Sequence, residues 1–156
     1  MPKVIEINPG EGEILNERYS DFPVVFMALV HPECPHCEAM KPALQNLYSN
    51  LEEYEGPAGI FNIHADEIPG SVSTIPQLKS VNGFPTVMIT KNSKSNPIIY
   101  NGNRTTEDLM EFCLKNMDLK KITDTKKGGK KRTKKTRKRK TKRKPRSRRK
   151  SRSRRR

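Results

Sequence analysis

Tryptophan is absent from this 156-residue sequence, aromatic residues make up only 6% of it, and cysteine occurs three times. Three unevenly spaced cysteines cannot staple a small disulfide scaffold, so cysteine chemistry here is redox or metal chemistry. No apolar stretch approaches the ~20 residues of a membrane-spanning helix, and the run FPVVFMALV at 22–30 has the length of a buried strand. The opening Met1-Pro2-Lys3-Val4-Ile5-Glu6 has neither a long apolar core nor a cleavage-site pattern. The expectation is a soluble chain, cytoplasmic or nuclear, that no signal peptide exports. None of Ala, Val, Ile, Leu, Met, Phe or Tyr follows Ile122, and no acidic residue follows Asp124. A segment with nothing to bury cannot offset its conformational entropy. A disordered tail is therefore predicted over 123–156, and one modest, monomeric domain over 1–122.

What is present divides the same way. Up to position 125 there are 10 basic residues against 17 acidic ones, net −7, while 22 Lys and Arg between Lys126 and Arg156 give the tail +22. A polycation of this density binds phosphate backbones by releasing counterions. Lacking aromatic side chains to stack on bases, it has little sequence preference. The densest run, Lys130, Lys131, Arg132, Lys134, Lys135, Arg137, Lys138, Arg139 and Lys140, is the expected contact with nucleic acid or another polyanion. Nuclear import and simple solubilisation are rival uses of these residues. Phosphorylation of Ser147, Ser151 or Ser153 would weaken such binding.

The chemistry sits in Cys34-Pro35-His36-Cys37, where the apolar run gives way to Met40, Ala43, Leu44, Leu47 and Leu51 at helical spacing. Cys34 is thereby predicted at a helix N-terminus, whose unpaired N–H groups and macrodipole favour an anion such as a thiolate, with Cys37 one turn on. Pro42 is expected to kink this helix, which ends by Gly56-Pro57. A second strand is predicted over 59–63, a short helix over 73–81, and a third strand at 87–89. A turn at 92–96 then leads to a strand at 97–100, and a last helix is capped by Thr105, with Leu109, Phe112, Cys113 and Met117 on one face. Val4, Ile5, Ile7, Ile14 and Leu15 offer an edge strand or a turn of helix. The order β-α-β-α-β-β-α is that of an α/β sandwich.

Cys-x-x-Cys after a buried strand, Pro42, Asn62-Ile63, Val81-x-Gly83-Phe84-Pro85-Thr86 and Tyr100-x-Gly102-x-Arg104-Thr105-x-x-x-Leu109-x-x-Phe112 together resemble the thioredoxin superfamily, in particular the catalytic domains of protein disulfide isomerases. The resemblance covers residues 22–117 and implies a three-layer sandwich, a mixed sheet flanked by helices. It implies that Cys34 is the exposed nucleophile and Cys37 the resolving thiol of a redox-active disulfide, with protein thiols and disulfides as substrate and no cofactor or metal. It also implies that the bond before Pro85 is cis, with its loop, together with Phe84 and Pro35, beside the substrate. Disulfide exchange runs through a thiolate, and an ordinary thiol with a pKa of about 8.5 is only a few per cent ionised at neutral pH. His36, if protonated, adds a positive charge beside it and makes the disulfide more oxidising. Pro-His is the dipeptide of the strongly oxidising periplasmic relative, where isomerases have Gly-His and reducing thioredoxins Gly-Pro. This places the chain on the oxidising side.

Two departures stand out. Glu33 occupies the position where the family has tryptophan, and Ala28 the position of the buried acid that helps deprotonate the second cysteine. The lysine that partners this acid aligns with Ile60. His64 is a conceivable substitute, but a histidine at the end of a strand reads first as a surface or loop residue. Zinc binding lacks a second ligand pair, and Cys113, on an apolar helix face, reads as core. The tail resembles the basic tails of proteins of nucleocytoplasmic large DNA viruses, which implies a place in a virion. The sequence thus supports a tethered thiol:disulfide oxidoreductase. Its alternative is a nucleic-acid packaging protein with a vestigial or docking-only head.

Overall fold

Alternation of side chains across one strand organises the molecule. In the computed structural model, which describes residues 1–92 and 95–122, strand β2 (Val24–Val30) is buried at every position except its last. Val24, Phe26 and Ala28 join one apolar cluster, and Val25, Met27 and Leu29 another. A strand whose period-two faces are both apolar must be covered on both sides.

The covering elements follow in chain order. β1 (Lys3–Ile7) and α1 (Gly12–Arg18) precede β2, so the weakly patterned N-terminal segment forms both an edge strand and a helix. Ile7 and Leu15 are buried there, and the Tyr19 hydroxyl, just past α1, reaches Thr90 Oγ1 at 3.0 Å in the interior. α2 (Pro35–Leu51) follows β2 and lays Met40, Leu44, Leu47 and Leu51 on the first cluster. It runs as one helix through Pro42 and ends before Gly56-Pro57, with a short strand, β3 (Tyr54–Glu55), between. β4 (Ala58–His64) is the second buried strand.

The helix expected over 73–81 is displaced. Its place is taken by a short α3 (Ile68–Ser71) and a 3-10 turn at Pro76–Ser80. Pro76 is the cause, since it excludes the helical region for the residue before it, and Ile75 lies at φ −121°, ψ 80°. Ile75 and Leu78 are nonetheless buried, so the apolar spacing marks core contacts although the backbone there is not a regular α-helix. β5 (Thr86–Lys91) and β6 (Ile98–Ile99) form the expected antiparallel hairpin. α4 (Thr106–Asn116) starts where Thr105 Oγ1 accepts the Asp108 N–H at 3.2 Å, a side-chain N-cap. β7 (Lys120–Lys121) closes the described chain against β3.

The main sheet has the order β1-β4-β2-β5-β6, with β1, β4 and β2 parallel and β5 and β6 antiparallel. α2 and α4 cover one face, and α1 with the segment around Ile75 and Leu78 covers the other. This is the expected three-layer sandwich. Among the described residues no helix is long and apolar enough to cross a membrane. The basic run Lys130–Lys140 and the other expectations for the tail over 123–156 lie outside the described residues.

Candidate active site

The site forms where β2 ends. The turn through His31 closes with a hydrogen bond from Cys34 N–H to the His31 carbonyl at 3.2 Å, and this turn delivers Cys34 to the N-cap of α2. Pro35 follows in the first turn, where a missing N–H costs nothing. Cys34 Sγ takes the place of the usual capping oxygen, accepting the Cys37 N–H at 3.2 Å. Its thiol also donates to the Phe84 carbonyl at 3.5 Å. The sulfur therefore lies at the positive end of a seventeen-residue helix.

The two cysteines are close and unlike. Cys34 is half-buried and Cys37 fully buried, and both are free thiols, as is Cys113. Burial is the largest influence on Cys37 and raises it to about 11. The hydrogen bond with Cys34 and the Cys34 charge act in the same direction, while a backbone hydrogen bond from His31 and the charge of Arg104 oppose them. His36 and Pro35 are exposed in the first turn of α2. The Phe84–Pro85 bond is cis, as the resemblance implied, and Pro85 is buried behind the carbonyl that faces Cys34. Cys113 is buried in the core, and burial pushes its thiol up to about 12, which keeps it protonated and inert.

Two residues gain roles that motif reading did not give them. The His31 ring lies 5.7 Å from the Phe84 ring, and its Nδ1 accepts the Glu33 N–H at 3.1 Å, so it joins the dithiol turn to the cis-proline loop. Arg104 acts electrostatically on Cys37 and lines a cleft of about 230 Å³ with Pro85 and Tyr100. The signal for it was Tyr100-x-Gly102-x-Arg104. The Tyr100 hydroxyl donates to the Asn103 carbonyl at 2.5 Å, its ring packs 4.9 Å from that of Phe112, and a Cβ on Gly102 would fall 2.5 Å from the Tyr100 oxygen. Only glycine lets the tyrosine fold over this loop.

Below Cys37 the register identifies what replaces the expected acid and its partner. Ala28 on β2 is level with Asn62 on β4, and Asn62 with Glu6 on β1. Asn62 stands beside Ala28, and Ile60 is level with Phe26, two residues back along each strand. A cleft of about 400 Å³ opens between this row and α2, lined by Cys37, Tyr48, Asn62 and His64 among others. The Tyr48 hydroxyl and Asn62 Oδ1 are buried without a hydrogen-bond partner among the described residues. Among those residues no group of three or more His, Cys, Asp or Glu is arranged to hold a metal ion.

A thioredoxin family model matches residues 13–115. The chain is 33% identical over 124 residues, 79% of its length, to a Schizosaccharomyces pombe protein whose name places it with the protein disulfide-isomerases. It is also 30% identical over 93 residues, 59% of its length, to the protein disulfide-isomerase of Aspergillus oryzae. It spans only 23% and 16% of those two proteins. Among solved structures, the first thioredoxin domain of mouse protein disulfide-isomerase A4 superposes with a TM-score of 0.53 at 25% identity, covering 70% of this chain and 72% of that one. With the dithiol at a helix N-terminus, the cis proline beside it and a family model that spans most of the described sheet, the chain belongs to the thioredoxin family.

Proposed function

We propose that this chain is a thiol:disulfide oxidoreductase that oxidises protein thiols to disulfides or isomerises protein disulfides through Cys34 and Cys37. One observation carries the reading: Cys34 Sγ is the N-cap acceptor of α2, 3.2 Å from the Cys37 N–H and 3.5 Å from the carbonyl of the cis-proline loop. A half-buried sulfur held this way is open to a substrate disulfide, and the resolving thiol waits one helical turn away, protonated and shielded. Phe84 and Pro85 border the approach and are proposed to receive the substrate backbone, with Pro35 on the opposite rim. His36 in the first turn supplies positive charge when protonated and favours the reduced form, which gives the Pro-His pair its oxidising bias. The +22 segment after Lys126 is proposed to tether this head to nucleic acid in the cytoplasm, nucleus or a viral particle, by charge alone.

The test is the redox equilibrium of the full chain against glutathione, read by alkylation and mass spectrometry. A reversible Cys34–Cys37 disulfide with a potential of about −180 to −120 mV is expected. A value near −270 mV would mark a reductase instead. Failure to form any reversible disulfide would end the enzyme reading and leave a nucleic-acid-binding protein with a vestigial head. Nucleic-acid binding is tested by its salt dependence, which is expected to be steep and to vanish on truncation after Thr123.

A further inference from the structure

We infer that His31 is a positioning residue for capture by Cys34: its neutral ring, with Nδ1 unprotonated, fastens the dithiol turn to the cis-proline loop, and protonation of the ring releases that fastening. The inference rests on the oxidoreductase reading above and concerns its first step. There the Cys34 thiolate attacks a substrate disulfide, a Cys34–substrate bond forms, the substrate S–S bond breaks, and one substrate thiolate leaves. His31 neither gives nor takes a proton in that step.

His31 meets the site through both its backbone and its ring. Its carbonyl accepts the Cys34 N–H at 3.2 Å, and its Nδ1 accepts the Glu33 N–H at 3.1 Å. The ring lies 5.7 Å from that of Phe84, tilted by 37°, within the range of aromatic contact. Phe84 in turn supplies the carbonyl that receives the Cys34 thiol at 3.5 Å. A backbone hydrogen bond from His31 also acts on Cys37, against the effect of burial. One side chain thus ties the residue before the nucleophile to the loop that faces it. An imidazole nitrogen that accepts a hydrogen bond carries no proton, so the single proton of this ring is on Nε2. A second proton makes both nitrogens donors. Nδ1–H would then face the Glu33 N–H, two donors without an acceptor, and the ring must turn. Turning takes it off Phe84 as well and leaves Cys34 less well aimed.

The titratable groups around the ring come from several elements. In its own turn the exposed Glu33 carboxylate favours the imidazolium. On α2, His36 is exposed in the first turn, and Cys37, Glu38, Lys41 and Tyr48 share a cleft with His31. Glu38 and Lys41 pair with each other at 2.5 Å. From β1 comes the exposed Glu6, and from the end of β4 His64, whose Nδ1 accepts the Asp66 N–H at 3.4 Å. Arg104, from the loop before α4, acts on Cys37 and opposes further positive charge at the site. These charges bias when the ring takes its proton. The bond that is lost is that of His31 itself, so the release follows its own protonation.

The experiment follows capture of glutathione disulfide by the reduced full chain, read as the appearance of the Cys34–glutathione mixed disulfide in rapid-quench mass spectrometry. Each rate is divided by the thiolate fraction, taken from ultraviolet absorbance of the same solution, so that ionisation of Cys34 does not enter. At about pH 8, the upper end of the range in which imidazoles change charge, His31→Ala should slow capture per thiolate about fivefold, the weight of one such hydrogen bond. His31→Asn, whose side-chain oxygen can accept the N–H two residues on and does not titrate, should recover most of the loss. At about pH 5 the order should reverse, with His31→Asn about fivefold faster than wild type. In the wild-type chain, the Glu33 amide and Phe84 ring resonances should move together as the His31 ring titrates. Unchanged capture in His31→Ala, no recovery in His31→Asn, the same pH profile in wild type and His31→Asn, or a Glu33 amide resonance that stays fixed while the ring titrates would each overturn the inference. A wild-type chain that captures no glutathione would defeat the oxidoreductase reading, and the resonances would then decide by themselves whether the ring holds the turn.

Discussion

The two ends of α2 are built for opposite purposes. They are about 25 Å apart at 1.5 Å per residue. At the first, the cap is a sulfur, the thiol behind it is held protonated by burial, and a polar cleft with unpartnered oxygens lies alongside. At the second, Leu51 is buried and the chain continues into β3, which pairs with β7 through Tyr54–Lys121 and Glu55–Lys120. The Ile122 N–H donates to the Glu53 carbonyl at 2.7 Å, so the last described residue is fastened at the pole remote from Cys34. Groups that are energetically costly to hold in place gather at the reactive end, and ordinary packing gathers at the other. Such a division lets a fold carry reactive groups without losing its core.

Cys34→Ser breaks this comparison most sharply. Exchange should disappear, because the hydroxyl is no nucleophile toward disulfides, while thermal stability stays near wild type. Serine is itself a preferred N-cap and can accept the Cys37 N–H in place of sulfur. A large fall in melting temperature together with loss of exchange would show that the sulfur has a structural role the geometry does not reveal. Leu47→Ala, at a fully buried position toward the other end, should do the reverse. It should cost about 2–5 kcal/mol in denaturant unfolding and leave exchange unchanged below the transition.

The strands, the dithiol helix and the capped last helix were legible because burial writes itself as periodicity. FPVVFMALV has the length and composition of a strand, and Met40, Leu44, Leu47 and Leu51 have the spacing of a helix stripe. The cis-proline loop was legible only through a motif, since it does not follow from hydropathy, and the motif that contains Arg104 gave that residue no role. What failed was local or lateral. Pro76 overrode an apolar spacing that looked helical, and Asn62 was missed because strand register is set by pairing in three dimensions. His31, Tyr48 and Glu6 come from separate segments that only the fold brings to one cleft.

The raised Cys37 thiol makes a pH prediction that sharpens the same contrast. Its folded value of about 11 lies above the ordinary 9.0, so the folded state favours the protonated form. The resulting stabilisation, on the order of 2–3 kcal/mol, is complete below pH 9 and is lost as pH rises from there through about 11. Urea unfolding of the reduced chain at pH 8 and pH 10.5 should show this decline, and Cys37→Ala should reduce it, leaving the part that the likewise raised Cys113 contributes. Equal declines in both proteins would assign the effect to other groups, Cys113 first among them.

The smallest effect is expected at the far pole. Lys121 Nζ lies 3.0 Å from Glu53 Oε2 and 6.0 Å from the centre of the Tyr54 ring, with both charged side chains more than half exposed. Glu53 raises the lysine pKa, yet solvent screens an exposed pair, and such pairs contribute little to stability. Lys121→Ala should therefore leave the melting temperature unchanged. What fastens β7 is backbone pairing with β3 and the Ile122 N–H on the Glu53 carbonyl, which does not depend on the side chain at 121. Ile122→Pro, which removes the N–H that donates to the Glu53 carbonyl, should loosen β3–β7 and speed amide exchange in those two strands. Protection at Val24–Leu29 should not change, because that strand is held by β4 and β5 on either side.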